Sequence, residues 1–153
     1  MTLDDIVNLV GSFEGTVALR PQEGDGTPEL AWGDVFFYYS PDGTIPTTVQ
    51  PFATIVTKNY PGDELSQLDR PDAFRVNVVA GKQEFEQLLG VPAREAANAV
   101  QADTDDTLAA HPQYGPAGWM SVVNPSSHTE SQVGQLLGSA YAVAKGRYER
   151  RQL

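Results

Sequence analysis

His111 stands six residues after Asp105 and five after Asp106, in the stretch "DTDDTLAAHPQYGPAG". An imidazole beside a carboxylate is the pairing that general acid–base catalysis uses, so His111 is the candidate proton-transfer group, with Asp105 or Asp106 as its partner. The plainer alternative is a histidine that only satisfies its own loop. No nucleophile accompanies it, because the chain has no cysteine, no G-x-S-x-G and no S-x-x-K. The other histidine, His128, sits beside the start of the last helix, where the macrodipole disfavours a cation, and reads as a neutral surface residue. Two histidines without a cysteine show no zinc spacing, and "DTDD" lacks the central glycine of a calcium loop, so no metal is expected. "GDGTPE" lacks the third glycine of a dinucleotide fingerprint, and no cofactor is expected.

A second constellation lies in "AFRVNVVA". As a strand it puts Phe74, Val76 and Val78 on one face and Arg75 and Asn77 on the other. Burial of the apolar set turns the two polar groups outward, where an arginine fork suits a carboxylate or phosphate. Lys58 of "PFATIVTK" and Tyr38 of "VFFYY" join that face in one choice of register. Arg75, Asn77, Lys58 and Tyr38 are therefore the candidate contacts for a small polar or anionic ligand. The alternative is a surface ion pair of Arg75 with Asp69 or Asp72.

The elements that must position these groups follow from patterning. Thr2 and Asp5 have capping-box spacing, and Leu3, Ile6, Val7, Val10 and Phe13 then form one helical face that Gly15 ends. "TVAL", "GDVFFYYS", "PFATIVTK", "AFRVNVVA" and "GWMSVVN" read as strands, with "PDG" and "YPGD" as turns between them. "KQEFEQLLG" is a short helix stopped by Gly90. Residues 91–110 read as helix or as solvated loop. The last helix carries Val133, Leu136, Leu137, Ala140, Tyr141, Ala144 and Tyr148 on one stripe, with Ser127/Glu130 or Thr129/Gln132 as its capping box. Trp119 is expected to pack beneath that stripe on Leu136, Leu137 and Tyr141. The whole describes one α+β domain over residues 1–153: a single antiparallel sheet of about five strands with the N-terminal and C-terminal helices on one face.

Charge narrows the classes of partner. The net charge is −10, made of −13 over residues 1–144 and +3 over residues 145–153. An acidic surface repels phosphate backbones and anionic lipid, so neither nucleic acid nor membrane is expected as a partner. The basic ending "KGRYERR" complements the dipole of its own helix. It also suits an acidic patch on a second subunit, which would make a homodimer. An acidic start and no long apolar run predict a soluble cytoplasmic protein. Arginine outnumbers lysine seven to three, as in high-GC bacterial proteins.

The blocks "AWGDVFFYYSPDG", "PFATIVTKNYPGDELSQLDRPDAFRVNV", "HPQYGPAGWMSVVNPS" and "AYAVAKGRYERR" closely resemble an uncharacterised domain-of-unknown-function family of high-GC bacteria. Through "GWMSVVN" and "LLGSAYAVAK" the chain is also distantly similar to the MmcQ/YjbR-like proteins, which implies a small α+β domain with an antiparallel sheet packed on helices.

Three readings stand. The leading one is a small-molecule-binding domain. The second is an enzyme with His111 as acid or base and Arg75 orienting an anion. The third is a protein-interaction module that uses the acidic surface. A cleft holding both His111 and Arg75 speaks for the enzyme, an aromatic pocket without histidine for binding, and a flat apolar patch for a protein partner.

Overall fold

Thr2 opens the chain's first helix as its spacing predicts: its Oγ1 accepts the Asp5 N–H, and Asp5 Oδ2 accepts the Thr2 N–H at 2.8 Å. In this computed structural model, which describes residues 1–153, that helix is α1 (Leu3–Gly11). It is followed by β1 (Thr16–Leu19), β2 (Val35–Tyr39), β3 (Ala53–Val56), β4 (Arg75–Val79), α2 (Lys82–Leu89), β5 (Leu108–Ala110), β6 (Trp119–Val123) and α3 (Glu130–Arg151). The strands form one sheet in the order β1-β2-β3-β4-β6-β5, and every neighbouring pair is antiparallel. This is an α+β fold with six strands and three α-helices. No helix is long and apolar enough to cross a membrane.

The sixth strand is β5, inside the stretch that read as helix or loop. "LAA" has weak strand propensity, and its ladder is made with β6, through Leu108↔Val122, Ala109↔Ser121 and Ala110↔Met120, with a parallel bridge from Gln101 to Ala110 on its other side. Before it, residues Ala93–Asn98 make short 3-10 turns rather than a full α-helix.

The register assigns every side chain to a face. Val35, Phe37, Ala53, Ile55, Val76, Val78, Met120 and Val122 are buried on one side, in a common cluster with Ile6 and Val10 of α1 and Val133, Leu136, Leu137 and Ala140 of α3. Phe85 of α2 joins the same cluster.

This register corrects the expectation for Trp119. Val76 lies opposite Val122 and Val78 opposite Met120, so cross-strand partners put Met120 and Val122 under the helices and turn Trp119 and Ser121 to the other face. Tyr141 instead meets the rings of Phe13, Tyr39 and Phe52.

The start of α3 also differs. Thr129 caps no helical N–H with its side chain. The N–H groups of Ser126, His128 and Thr129 all donate to the Asp106 carboxylate, and Thr129 Oγ1 donates to it at 2.6 Å. A residue more than twenty positions upstream supplies the anion that the helix start attracts.

Candidate functional site

The face of the sheet opposite the helices has a polar floor. Arg75 is 1% exposed and Asn77 likewise. Arg75 Nη1 and Nη2 donate to the two Asp63 oxygens at 3.0 and 2.7 Å, Nη1 also reaches Ser66 Oγ, and Nε donates to Asn77 Oδ1 at 2.8 Å. Asn77 Oδ1 accepts Ser121 Oγ as well, and Asn77 Nδ2 donates to Thr54 Oγ1. Four strand positions and one loop thus form a continuous network in which no buried side-chain oxygen or nitrogen lacks a partner. Burial works to raise the Asp63 carboxyl, but the bond to and charge of Arg75 outweigh it and hold the group below the usual carboxylate range.

Asp63 arrives from the turn Tyr60-Pro61-Gly62-Asp63. Pro61 sets the second position, Gly62 takes φ +79° at the third, and the Asp63 N–H closes the turn on the Tyr60 carbonyl at 2.8 Å. The other end of the turn is also anchored. Tyr60 donates its hydroxyl to Oδ2 of the fully buried Asp34. Asp34 Oδ1 accepts the Thr57 N–H and hydroxyl and the Lys58 ammonium at 3.1 Å, and Lys58 also donates to the Trp32 carbonyl. Burial, followed by the bond to Asp34, pushes the Tyr60 phenol up.

The His111 loop adjoins that turn, where Gln113 Nε2 donates to the Gly62 carbonyl at 3.4 Å, and the ring is fixed by its own loop. Its Nδ1 accepts the N–H groups of Gln113 and Tyr114, both at 3.0 Å, which starts the turn leading to the 3-10 segment Gly115–Ala117. Its ring meets those of Tyr114 and Trp119 at centroid distances of 4.9 and 6.0 Å. Burial, with the Arg75 charge adding to it, lowers the imidazole to about 3. At neutral pH the ring is uncharged.

Between these walls lies a cavity of about 760 Å³. Phe36, Tyr60, Tyr114 and Trp119 give it aromatic sides, Thr54, Arg75 and Asn77 line its floor, and Asp63 and His111 line it within each other's field. A second hollow of equal volume near Met1 has Arg70, Asp72 and Asn124 on its rim and no aromatic side wall comparable to this one.

The cavity gathers some of the residues read from the sequence and leaves others outside. Arg75, Asn77 and His111 line it together. Arg75 pairs with Asp63, not with Asp69 or Asp72, and is sealed by the 60–66 loop rather than open to solvent. Lys58 lies behind Tyr60, held by Asp34 and Trp32. Tyr38 is on the same face as Phe36 but outside the lining, opposite Val17 of β1.

Asp105 and Asp106 are not partners of His111. Asp105 accepts Arg70 at 3.0 Å and Asn124 at 3.2 Å. Asp106 is the anion of the α3 start, and although burial opposes it, the Thr129 hydroxyl and three N–H groups hold it down to about 2. Both sit at the Val123 end of β6, whereas His111 bonds the Trp119 end. Four residues of strand, roughly 13 Å, separate the two ends.

A model of a family of unknown function, DUF6194, matches residues 1–153. The chain belongs to that family. It matches no curated protein and no solved structure. Membership in DUF6194 brings no activity with it, so the chemistry must be read from the cavity.

Sequence reasoning missed Asp63, Ser66, Tyr60, Thr54 and Ser121. Their signal was present in part. "YPGD" reads as a turn, but nothing local says that both of its polar ends are tethered to buried charged groups. Ser121 and Thr54 follow from strand alternation once β3, β4 and β6 are placed in register. No group of three histidine, aspartate or glutamate side chains is arranged to hold a metal ion.

Proposed function

We propose that this protein binds a small molecule in the cavity over the helix-free face of its sheet. The observation that carries this reading is a cavity of about 760 Å³ with aromatic sides over a fully hydrogen-bonded polar floor. Its volume falls within the roughly 300–1,000 Å³ of small-molecule sites. The anionic ligand that an open Arg75 would favour loses its support, because Asp63 already fills the guanidinium fork. Asp63 and Arg75 are the charged members of the lining and cancel each other. The ligand we propose is therefore neutral overall, with an apolar body and a polar group. A thermal-shift screen of neutral aromatic metabolites against the parent and Ala117→Trp, which fills the cavity from its rim, tests this. Hits lost in the filled variant support it; hits that stabilise both proteins equally overturn it.

His111 and Arg75 do share the cavity, which favours a catalytic reading as the second one. A neutral histidine whose Nδ1 is capped by backbone N–H groups can polarise a carbonyl oxygen, as in the neutral-imidazole electrophile of triosephosphate isomerase. A base to accompany it is not free: Asp63 is tied to Arg75, and Asp105 and Asp106 are elsewhere. Deuterium exchange from solvent into an enolisable ketone separates the two readings. Exchange accelerated by the parent and not by His111→Asn means catalysis, and its absence with bound ketone means binding alone.

A further inference from the structure

We propose that His111 is the recognition residue of this cavity, a hydrogen-bond donor of fixed tautomer whose Nε2–H meets an acceptor, a carbonyl oxygen or a ring nitrogen, on a neutral aromatic ligand. The inference rests on the small-molecule reading above and names the ligand's chemistry.

The geometry follows from proton counting. Nδ1 receives two backbone N–H groups at 3.0 Å each, so it presents a lone pair and carries no hydrogen. A neutral imidazole has one N–H, and the hydrogen-bond network assigns it to Nε2. No protein group accepts from Nε2. Every buried side-chain nitrogen and oxygen has a partner, so Nε2 keeps access to solvent, although His111 is only 7% exposed. That opening is the cavity the ring lines. A side chain more than nine-tenths buried therefore offers an unused donor there. The ring cannot accept a proton at Nε2, and protonation at Nδ1 would set a third hydrogen against two that already point at it. The charged groups around it are Arg75, which opposes a positive imidazole, and Asp63, which favours one but is neutralised by its own pair. The phenols of Tyr60 and Tyr114 also line the site.

The donor's position explains the "HP" pair. An Asn or Asp before a proline starts a turn by accepting N–H groups two and three residues on. Here His111 does the same with Nδ1, to Gln113 and Tyr114, and retains a second nitrogen for the cavity. His111→Asn therefore keeps an acceptor for the turn and removes the donor at the Nε2 position, because the asparagine NH2 falls where the ring carries Cδ2. The ring contacts to Tyr114 and Trp119 go with it, and tetralin, which has no acceptor, measures that loss.

The experiment uses the full chain and three bicyclic probes matched in shape: tetralin with no acceptor, α-tetralone with a carbonyl, and the anion α-naphthoate. Imidazole nitrogen NMR of the unliganded parent should show Nε2 protonated and Nδ1 bare at neutral pH. An Nδ1–H tautomer or an imidazolium overturns the inference whatever the probes do. NMR titrations of the parent and His111→Asn then compare affinities as a cycle. The preference for α-tetralone over tetralin should fall about fivefold in His111→Asn. An unchanged preference while both neutral probes still bind overturns the donor role and leaves the cavity reading standing. Tightest binding by α-naphthoate, in parent and variant alike, also overturns it, in favour of Arg75. Failure of all three to perturb the cavity resonances up to millimolar concentration overturns the cavity reading, and this inference with it.

Discussion

The two faces of β4 solve the same burial problem in different ways. Val76 and Val78 meet the apolar stripes of α1 and α3, and that side of the sheet is a continuous hydrocarbon core. Arg75 and Asn77, one residue out of phase, are buried as deeply. They are compatible with burial because Asp63, Ser66, Thr54 and Ser121 satisfy them. An apolar face asks only for area, and a helix supplies it. A polar face asks for particular partners at particular distances, and loops can supply them. Loops do not close-pack over a whole sheet, however. Leu68, Ala73 and Ala102 seal the Val123 end of this face with Ala109, while the end nearer Trp119 keeps a cavity. The side held by hydrogen bonds is thus the side with space, and a ligand has room there.

Breaking the ion pair should destabilise the polar face more than any other single change. Arg75→Ala leaves the buried Asp63 charge alone and should cost about 3–5 kcal/mol in urea denaturation, whereas replacing both with Arg75→Met and Asp63→Leu should cost clearly less than that single change. A double variant as unstable as the single one would mean that size and packing, not the charge pair, hold this face.

The second effect concerns pH. His111 titrates near 3 in the folded chain against an ordinary 6.5, so between those values the unfolded chain binds a proton that the folded chain does not. The contribution is full above 6.5 and is lost as pH falls, by up to about 1.4 kcal/mol per pH unit. Asp63 and Asp106 are held low, and their contributions fail only at lower pH, through the carboxylate range. Denaturation midpoints measured from pH 6.5 down to that range therefore isolate His111, and His111→Asn should flatten the slope. A parent whose stability is level there would show that the imidazole is not excluded from protonation.

The smallest effect separates wall from core. Trp119 is half-buried on the cavity side, so Trp119→Ala should cost about 1–2 kcal/mol, below the range for a sealed aromatic, while abolishing binding of the neutral probes. A loss as large as that of a core aromatic would place Trp119 in the fold's foundation instead.

Much of the fold was legible because alternation and capping are local. Thr2 with Asp5, the strand "AFRVNVV" and the α3 stripe each carry their own pattern. β5 was not legible, since the run Leu-Ala-Ala is too short to show alternation and becomes a strand through its pairing with β6. The face of Trp119 was misjudged for a related reason. "WMSVV" can bury either set of alternating residues, and the choice is made by the pairing of Met120 and Val122 with β4. At the site, Arg75, Asn77 and His111 were legible as a strand face and a loop residue. Their true partners were not: Asp63 lies twelve residues from Arg75, and nearness in sequence pointed to Asp69 and Asp72. The same bias linked His111 to Asp105 and Asp106, which strand geometry carries to the far end of β6.

The turn from Tyr60 to Asp63 is pinned before any ligand arrives. Its two ends are tied to separate buried partners, Asp34 and Arg75, and the hydrogen bond from the Asp63 N–H to the Tyr60 carbonyl holds its shape. Many clefts gain a wall only when a guest arrives, and the guest's affinity is lowered by the disorder it must remove. Here the wall is ordered when the chain folds. Association should then show a heat-capacity change set by the surface the guest covers, without the added contribution of a segment folding around it.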